Sequence, residues 1–68
     1  MCESKAVEII GNEEKQLLDD VALLEFQDNK LILYNIKGEK LELPTDQYVI
    51  VKVDFLKHKI FFRKNKGC

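Results

Sequence analysis

Val21-Ala22-Leu23-Leu24-Glu25-Phe26-Gln27, then Asp28-Asn29, then Lys30-Leu31-Ile32-Leu33-Tyr34-Asn35-Ile36: the reading of this stretch decides the fold class. In both runs the apolar residues are mainly β-branched, aromatic or leucine, and the pair between them tolerates positive φ, which is the pattern of a β-hairpin. Towards the C-terminus, Lys37-Gly38-Glu39 reads as a second turn, and Lys40-Leu41-Glu42-Leu43 alternates charged with apolar residues until Pro44 stops it. Such alternation implies one buried face. Tyr48-Val49-Ile50-Val51-Lys52-Val53 is the most strand-like segment. It places Val49, Val51 and Val53 on one face and Tyr48, Ile50 and Lys52 on the other, and is expected to be central in the sheet. Asp54 to Lys59 is a mainly polar, cationic loop that returns the chain into Ile60-Phe61-Phe62-Arg63 as a hairpin partner.

Towards the N-terminus, Lys5 to Ile10 reads as a strand and Gly11-Asn12 as its turn. Asn12 and Glu13-Glu14 would suit a helix cap, but only Leu17-Leu18 supply apolar surface before Asp19-Asp20. Isolated helices under ~12 residues are marginal in water, so this segment is also taken as a strand. Six or seven short strands joined by tight turns predict an all-β protein, a small antiparallel β-barrel or strongly curled sheet. One domain is expected over residues 1–63, with Lys64-Asn65-Lys66-Gly67-Cys68 as a basic, disordered tail.

A chain of 68 residues holds one small domain whose core alone is marginal. Support from a metal or a second copy is the usual remedy at this size. Cys2 and Cys68, at opposite extremes, make no disulfide framework and are read as reduced thiols. The opening Met1-Cys2-Glu3-Ser4 lacks the basic and apolar regions of a secretory signal, and no apolar run approaches the ~18 residues of a membrane span. A cytoplasmic location, with no membrane partner, is the resulting expectation. Charge is divided unevenly: residues 1–50 carry a net −6 and residues 51–68 a net +5. That division suits two complementary faces that attract within the fold or across a dimer, or a basic segment for an anionic partner.

Few residues can carry chemistry. His58 is the single histidine, Ser4 the single serine, and Gly11, Gly38 and Gly67 are too far apart to cradle a phosphate. No catalytic residues are assigned, and a non-enzymatic role is expected. Cys2 is different. If Met1 is removed, the Cys2 α-amine and thiolate close a five-membered chelate on a metal, and two copies supply two nitrogens and two sulfurs. Four such donors in a plane favour Ni(II) or Cu(II). If Met1 stays, its amine, the Cys2 amide nitrogen and the thiolate remain available. Cys68, beyond the lysine-rich tail, is read as incidental.

The opening Met1-Cys2-Glu3-Ser4-Lys5 before a short strand, the Leu18-Asp19-Asp20-Val21-Ala22-Leu23-Leu24-Glu25 segment, the hairpin, and Val53-Asp54-Phe55-Leu56-Lys57-His58-Lys59-Ile60 together resemble the CooT family, nearly to Arg63. The family comprises small β-rich proteins, also labelled predicted RNA-binding proteins, whose nickel-binding member is associated with carbon monoxide dehydrogenase maturation. The resemblance implies a homodimeric metallochaperone that binds Ni(II) through the cysteine after the initiator methionine, here Cys2, and serves a nickel enzyme apoprotein or its maturation machinery. The basic Lys64 to Cys68 extension departs from the pattern. The alternative is a small β-barrel that binds RNA, with Lys57, Lys59, Arg63, Lys64 and Lys66 on phosphates and Tyr48, Phe61 or Phe62 stacked on bases. An overall pI near 5.8 argues against that reading. A plain interaction domain that recruits a protein partner is the third class.

Overall fold

The computed structural model describes residues 3–65, and every regular element among them is a strand. In chain order these are β1 (Ser4–Ile10), β2 (Glu13–Gln27), β3 (Lys30–Asn35), β4 (Lys40–Pro44), β5 (Tyr48–Asp54) and β6 (Lys59–Lys64). They form one sheet in the order β4-β3-β2-β1-β6-β5, as the all-β expectation required. All neighbours are antiparallel except β1 and β6, the first and last strands, which run parallel with Ala6 opposite Ile60 and Val7 opposite Phe61.

The sheet curls on itself without closing. Leu31, Leu33 and Leu43 from one end of the strand order share a buried cluster with Ala6, Val21, Ile60 and Phe62 from β1, β2 and β6. The molecule's shortest extent is 16 Å, which accommodates two strand layers at the usual separation of about 10 Å. One connection stitches the two free edges at one end. Gln47 N donates to Pro44 O, and Asn65 N donates to Gln47 O at 2.7 Å, which ties the β4–β5 link to the end of β6. Of the tail expected at 64–68, Lys64 belongs to β6 and residues 66–68 lie outside the described residues.

The curl originates in β2. Asp19-Asp20 do not separate two short strands; they sit within one strand of 15 residues that belongs to both layers. The pairing of β2 with β1 shifts register on either side of Ala6, and its pairing with β3 shifts again between Val21 and Leu23. Each shift bends the strand and adds twist. Asp20 takes a left-handed φ of 53°, a conformation an aspartate adopts more readily than a bulky residue, and its carbonyl still accepts from Ile36 N.

Contrary to the central position expected for it, β5 is an edge strand, paired only with β6. Alternation reports the local period of a strand, whereas its neighbours are set by pairing remote in sequence. The face assignment changes as well. A register shift between Ile50 and Lys52 places Ile50 opposite Phe62 and Lys52 opposite Phe61, so these two residues lie on opposite faces. Val49, Val51 and Val53 are each 41% exposed.

The turns carry specific conformations. Gly11 has φ 61° at the first position of the two-residue β1–β2 turn, as a II′ hairpin turn demands. Asp28-Asn29 turn as expected, but neither takes a positive φ. Asn35, buried at the end of β3, organises the β3–β4 turn. Its Oδ1 accepts from Lys37 N and Glu39 N, and its Nδ2 donates to Glu39 Oε1 at 2.6 Å. Turn chemistry of this kind satisfies the amides that no strand can reach.

Candidate functional site

Cys2 and Cys68 lie outside the described residues, so the site is built from what flanks them. Only Glu3 separates Cys2 from Ser4 in the sequence, and covalent geometry limits those two steps to about 7 Å. The start of β1 is firmly placed. Ser4 lies opposite Val21 of β2, Lys5 lies opposite Lys59 of β6, and Lys5 N donates to His58 O at 2.8 Å. The start of β1 is therefore held between the bend of β2 and the β5–β6 turn.

That turn, residues 55–58, is held by one carboxylate. Asp54 Oδ1 accepts from Leu56 N and from Lys57 N, both at 3.0 Å, and His58 closes the turn with a left-handed φ of 56°. The hydrogen bond from the Lys57 amide, then that from Leu56, holds the Asp54 carboxyl below its ordinary range, with smaller help from the Lys57 and Lys52 charges. A depressed folded value contributes order that is complete above the unfolded value near ~3.9 and is lost as pH falls through the lower folded value. Amide hydrogen exchange at Leu56 and Lys57 is therefore expected to accelerate selectively once the pH drops below the ordinary aspartate range. Exchange there that stays level with the β3–β4 turn would contradict it.

Two side chains on the turn were not singled out from the sequence. Phe55 is 82% exposed and Leu56 is 92% exposed. The signal available was their position inside a turn bracketed by Asp54 and Lys57, where a solvated loop would carry polar residues. On the other side of the β1 start stand Asp19 and Asp20, half-buried at the bend of β2.

The basic segment is less free than its composition suggests. Lys59 Nζ is 3.0 Å from Glu14 Oε1, and Lys52 Nζ lies 4.6 Å from the centre of the Phe61 ring. Lys57, Arg63 and Lys64 are exposed. The aromatic residues expected to stack on bases do not form a platform. Phe62 is fully buried in the core, Phe61 is buried on the opposite face, and Tyr48 packs against the core. Adjacent strand residues point to opposite faces, so burial of both phenylalanines means that β6 is covered on both sides. Glu8, also buried, lines a shallow groove with Ile10, Val49 and Arg63.

Among the described residues, no three or more His, Cys, Asp or Glu side chains stand together as a metal site, and no helix is long and apolar enough to cross a membrane. No curated protein matches the chain. Among solved structures, the crystal structure of a candidate CooT from Carboxydothermus hydrogenoformans is similar, with a TM-score of 0.81 and 25% identity. The alignment covers 96% of this chain and 100% of that one. The family model described as CO dehydrogenase accessory protein CooT matches residues 1–63, which include Cys2 and the whole β5–β6 turn. The chain belongs to the CooT family of CO dehydrogenase accessory proteins.

Proposed function

We propose that the protein is a non-enzymatic carrier of Ni(II) for CO dehydrogenase maturation, acting as a homodimer in the cytoplasm and holding its cargo between two Cys2 residues. The observation that carries this reading is the family match from residue 1 to residue 63, which takes in a cysteine at the second position. The donor chemistry fits. A thiolate and the α-amine freed when Met1 is removed form one chelate, and a second copy completes four nitrogen and sulfur donors, a set that suits Ni(II). One chain alone supplies too few ligands.

Exchangeable ligands are what delivery requires, and a thiolate near a chain end releases a metal more readily than a closed cage does. The parts that hold the fold are separate from it. The buried cluster of Ala6, Val21, Leu31, Leu33, Leu43, Ile60 and Phe62 contains no metal-binding side chain.

Native mass spectrometry with and without Ni(II) tests the proposal, because it reports methionine removal, subunit number and metal count together. The expected species is a dimer with one Ni(II). A metal-free dimer at saturating Ni(II), or a monomer that binds the ion alone, would refute it.

A further inference from the structure

The parallel pairing of β1 with β6 ends before either strand does. Its last pair is Glu8 with Phe62, yet β1 runs on to Ile10 beside β2, and β6 runs on to Lys64 beside β5. Past Glu8 each strand follows its other neighbour. The groove that opens there has a lining that includes Glu8, Ile10, Val49, Arg63 and Lys64, and it lies at the opposite end of β1 from the β5–β6 turn.

Glu8 sets the chemistry of this groove. It is only 4% exposed, and its carboxylate makes no hydrogen bond or ion pair among the described residues. No buried side-chain oxygen among those residues is sealed off without a partner, so the Glu8 oxygens reach water through the groove that the residue lines. Withdrawing a carboxylate from most of its water costs free energy that a donor or counter-charge in the groove would return. Arg63 and Lys64 are exposed, and neither forms an ion pair with a described residue.

Two signs of charge in one groove restrict what fits. A simple cation that reaches Glu8 is repelled by Arg63 and Lys64, and a simple anion held by those two is repelled by Glu8. A molecule that carries both charges meets each with its opposite through charge-assisted hydrogen bonds. Ile10 and Val49, both exposed, add apolar wall, and the groove's volume of about 580 Å³ falls in the range of small-molecule sites. An α-amino acid carries an ammonium, a carboxylate and a side chain on a single carbon, which matches this set.

We propose that the groove binds a free α-amino acid with an aliphatic side chain. The ammonium donates to Glu8, Arg63 and Lys64 hold the carboxylate, and the side chain lies on Ile10 and Val49. The site shares no residue with the Ni(II) site proposed at Cys2.

Titration of the isotopically labelled full chain with leucine, followed by amide NMR shifts, tests the proposal. Saturable shifts at residues 8–11 and 63–65 are expected, with a dissociation constant of about 1 mM or tighter. N-acetylleucine lacks the ammonium and leucinamide lacks the carboxylate, so each should bind the wild type at least about tenfold more weakly. Glu8→Gln keeps the shape of the side chain and should weaken leucine at least about tenfold, and Arg63→Gln about fivefold. Far-ultraviolet circular dichroism checks the fold of both variants, while the analogue comparison needs no substitution at all.

Absence of saturable shifts in the millimolar range, or equal binding of leucine and its two analogues, would overturn the proposal. Unchanged leucine affinity in a folded Glu8→Gln would do the same. Leucinamide binding better than leucine would assign the groove to a cationic group, such as a lysine or arginine of a partner protein, and overturn the amino acid. Cys2→Ser should leave leucine affinity unchanged, so failure of this site and failure of the metal site are told apart.

Discussion

Phe62→Ala is expected to leave the protein at or beyond the edge of unfolding at ambient temperature. Phe62 is completely buried and, with Leu33, is among the largest side chains with no exposed surface. It packs with Ile60 and Ala6 against Leu31, Leu33 and Leu43, so it joins the two layers of the curled sheet. Removing a buried phenylalanine ring costs roughly 3–5 kcal/mol, from lost burial and from the cavity left behind. A domain of 68 residues has in total about 3–10 kcal/mol at 0.05–0.15 per residue. The magnitudes therefore meet. At about 4–8 °C per kcal/mol for a domain of this size, Tm should fall by roughly 12–40 °C. Thermal melts followed by circular dichroism, with a urea titration beside them, supply the measurement. A fall of only a few degrees would mean that the two layers are not joined through this ring. Phe55→Ala provides the contrast: its ring is mostly in solvent in the single chain, and its loss should barely change the melt of the monomer.

Cys2→Ser is expected to reduce Ni(II) affinity by on the order of a hundredfold or more, because the substitution replaces a soft, ionisable sulfur with a hydroxyl that stays protonated near neutral pH. The α-amine remains, but a single nitrogen from each copy makes no chelate. Calorimetric titration gives the affinity, and the thiolate-to-metal absorption band gives the ligand identity. Stability and dimerisation should match the wild type. Affinity within a few-fold of the wild type would place the ligands elsewhere. Loss of the band with unchanged affinity would show that sulfur is not the donor that matters.

Much of the strand pattern is legible from local sequence because strands and turns have local causes. Leu41 and Leu43 alternate with Lys40 and Glu42, and the structure buries Leu43 and half-buries Leu41 while both charged residues face solvent. Gly11 and Gly38 stand at turns where φ is positive. What could not be read is pairing between distant segments. Nothing in Lys5-Ala6-Val7-Glu8 or in Lys59-Ile60-Phe61-Phe62 indicates that each is the other's parallel neighbour, yet that pairing moves β5 to the edge. Asp19-Asp20 look like a break because two adjacent carboxylates rarely sit in a strand interior. They mark the bend of β2, where register shifts make room for them. The position of Cys2 in the chain drew attention to the N-terminus, whereas the significance of Phe55 and Leu56 emerged only once burial separated them from the core residues they resemble in composition.

The parallel union of β1 with β6 also governs the order of events during synthesis. During translation β2, β3 and β4 can pair with what has already been made, but β1 keeps one side bare until the last of the six strands leaves the ribosome. Contacts of such long sequence separation form late and slowly. The His58 carbonyl that fixes Lys5 arrives with that same final segment, so the amino terminus has no anchor on that flank while the chain is nascent. Docking of that flank of β1 is thereby coupled to the emergence of β6.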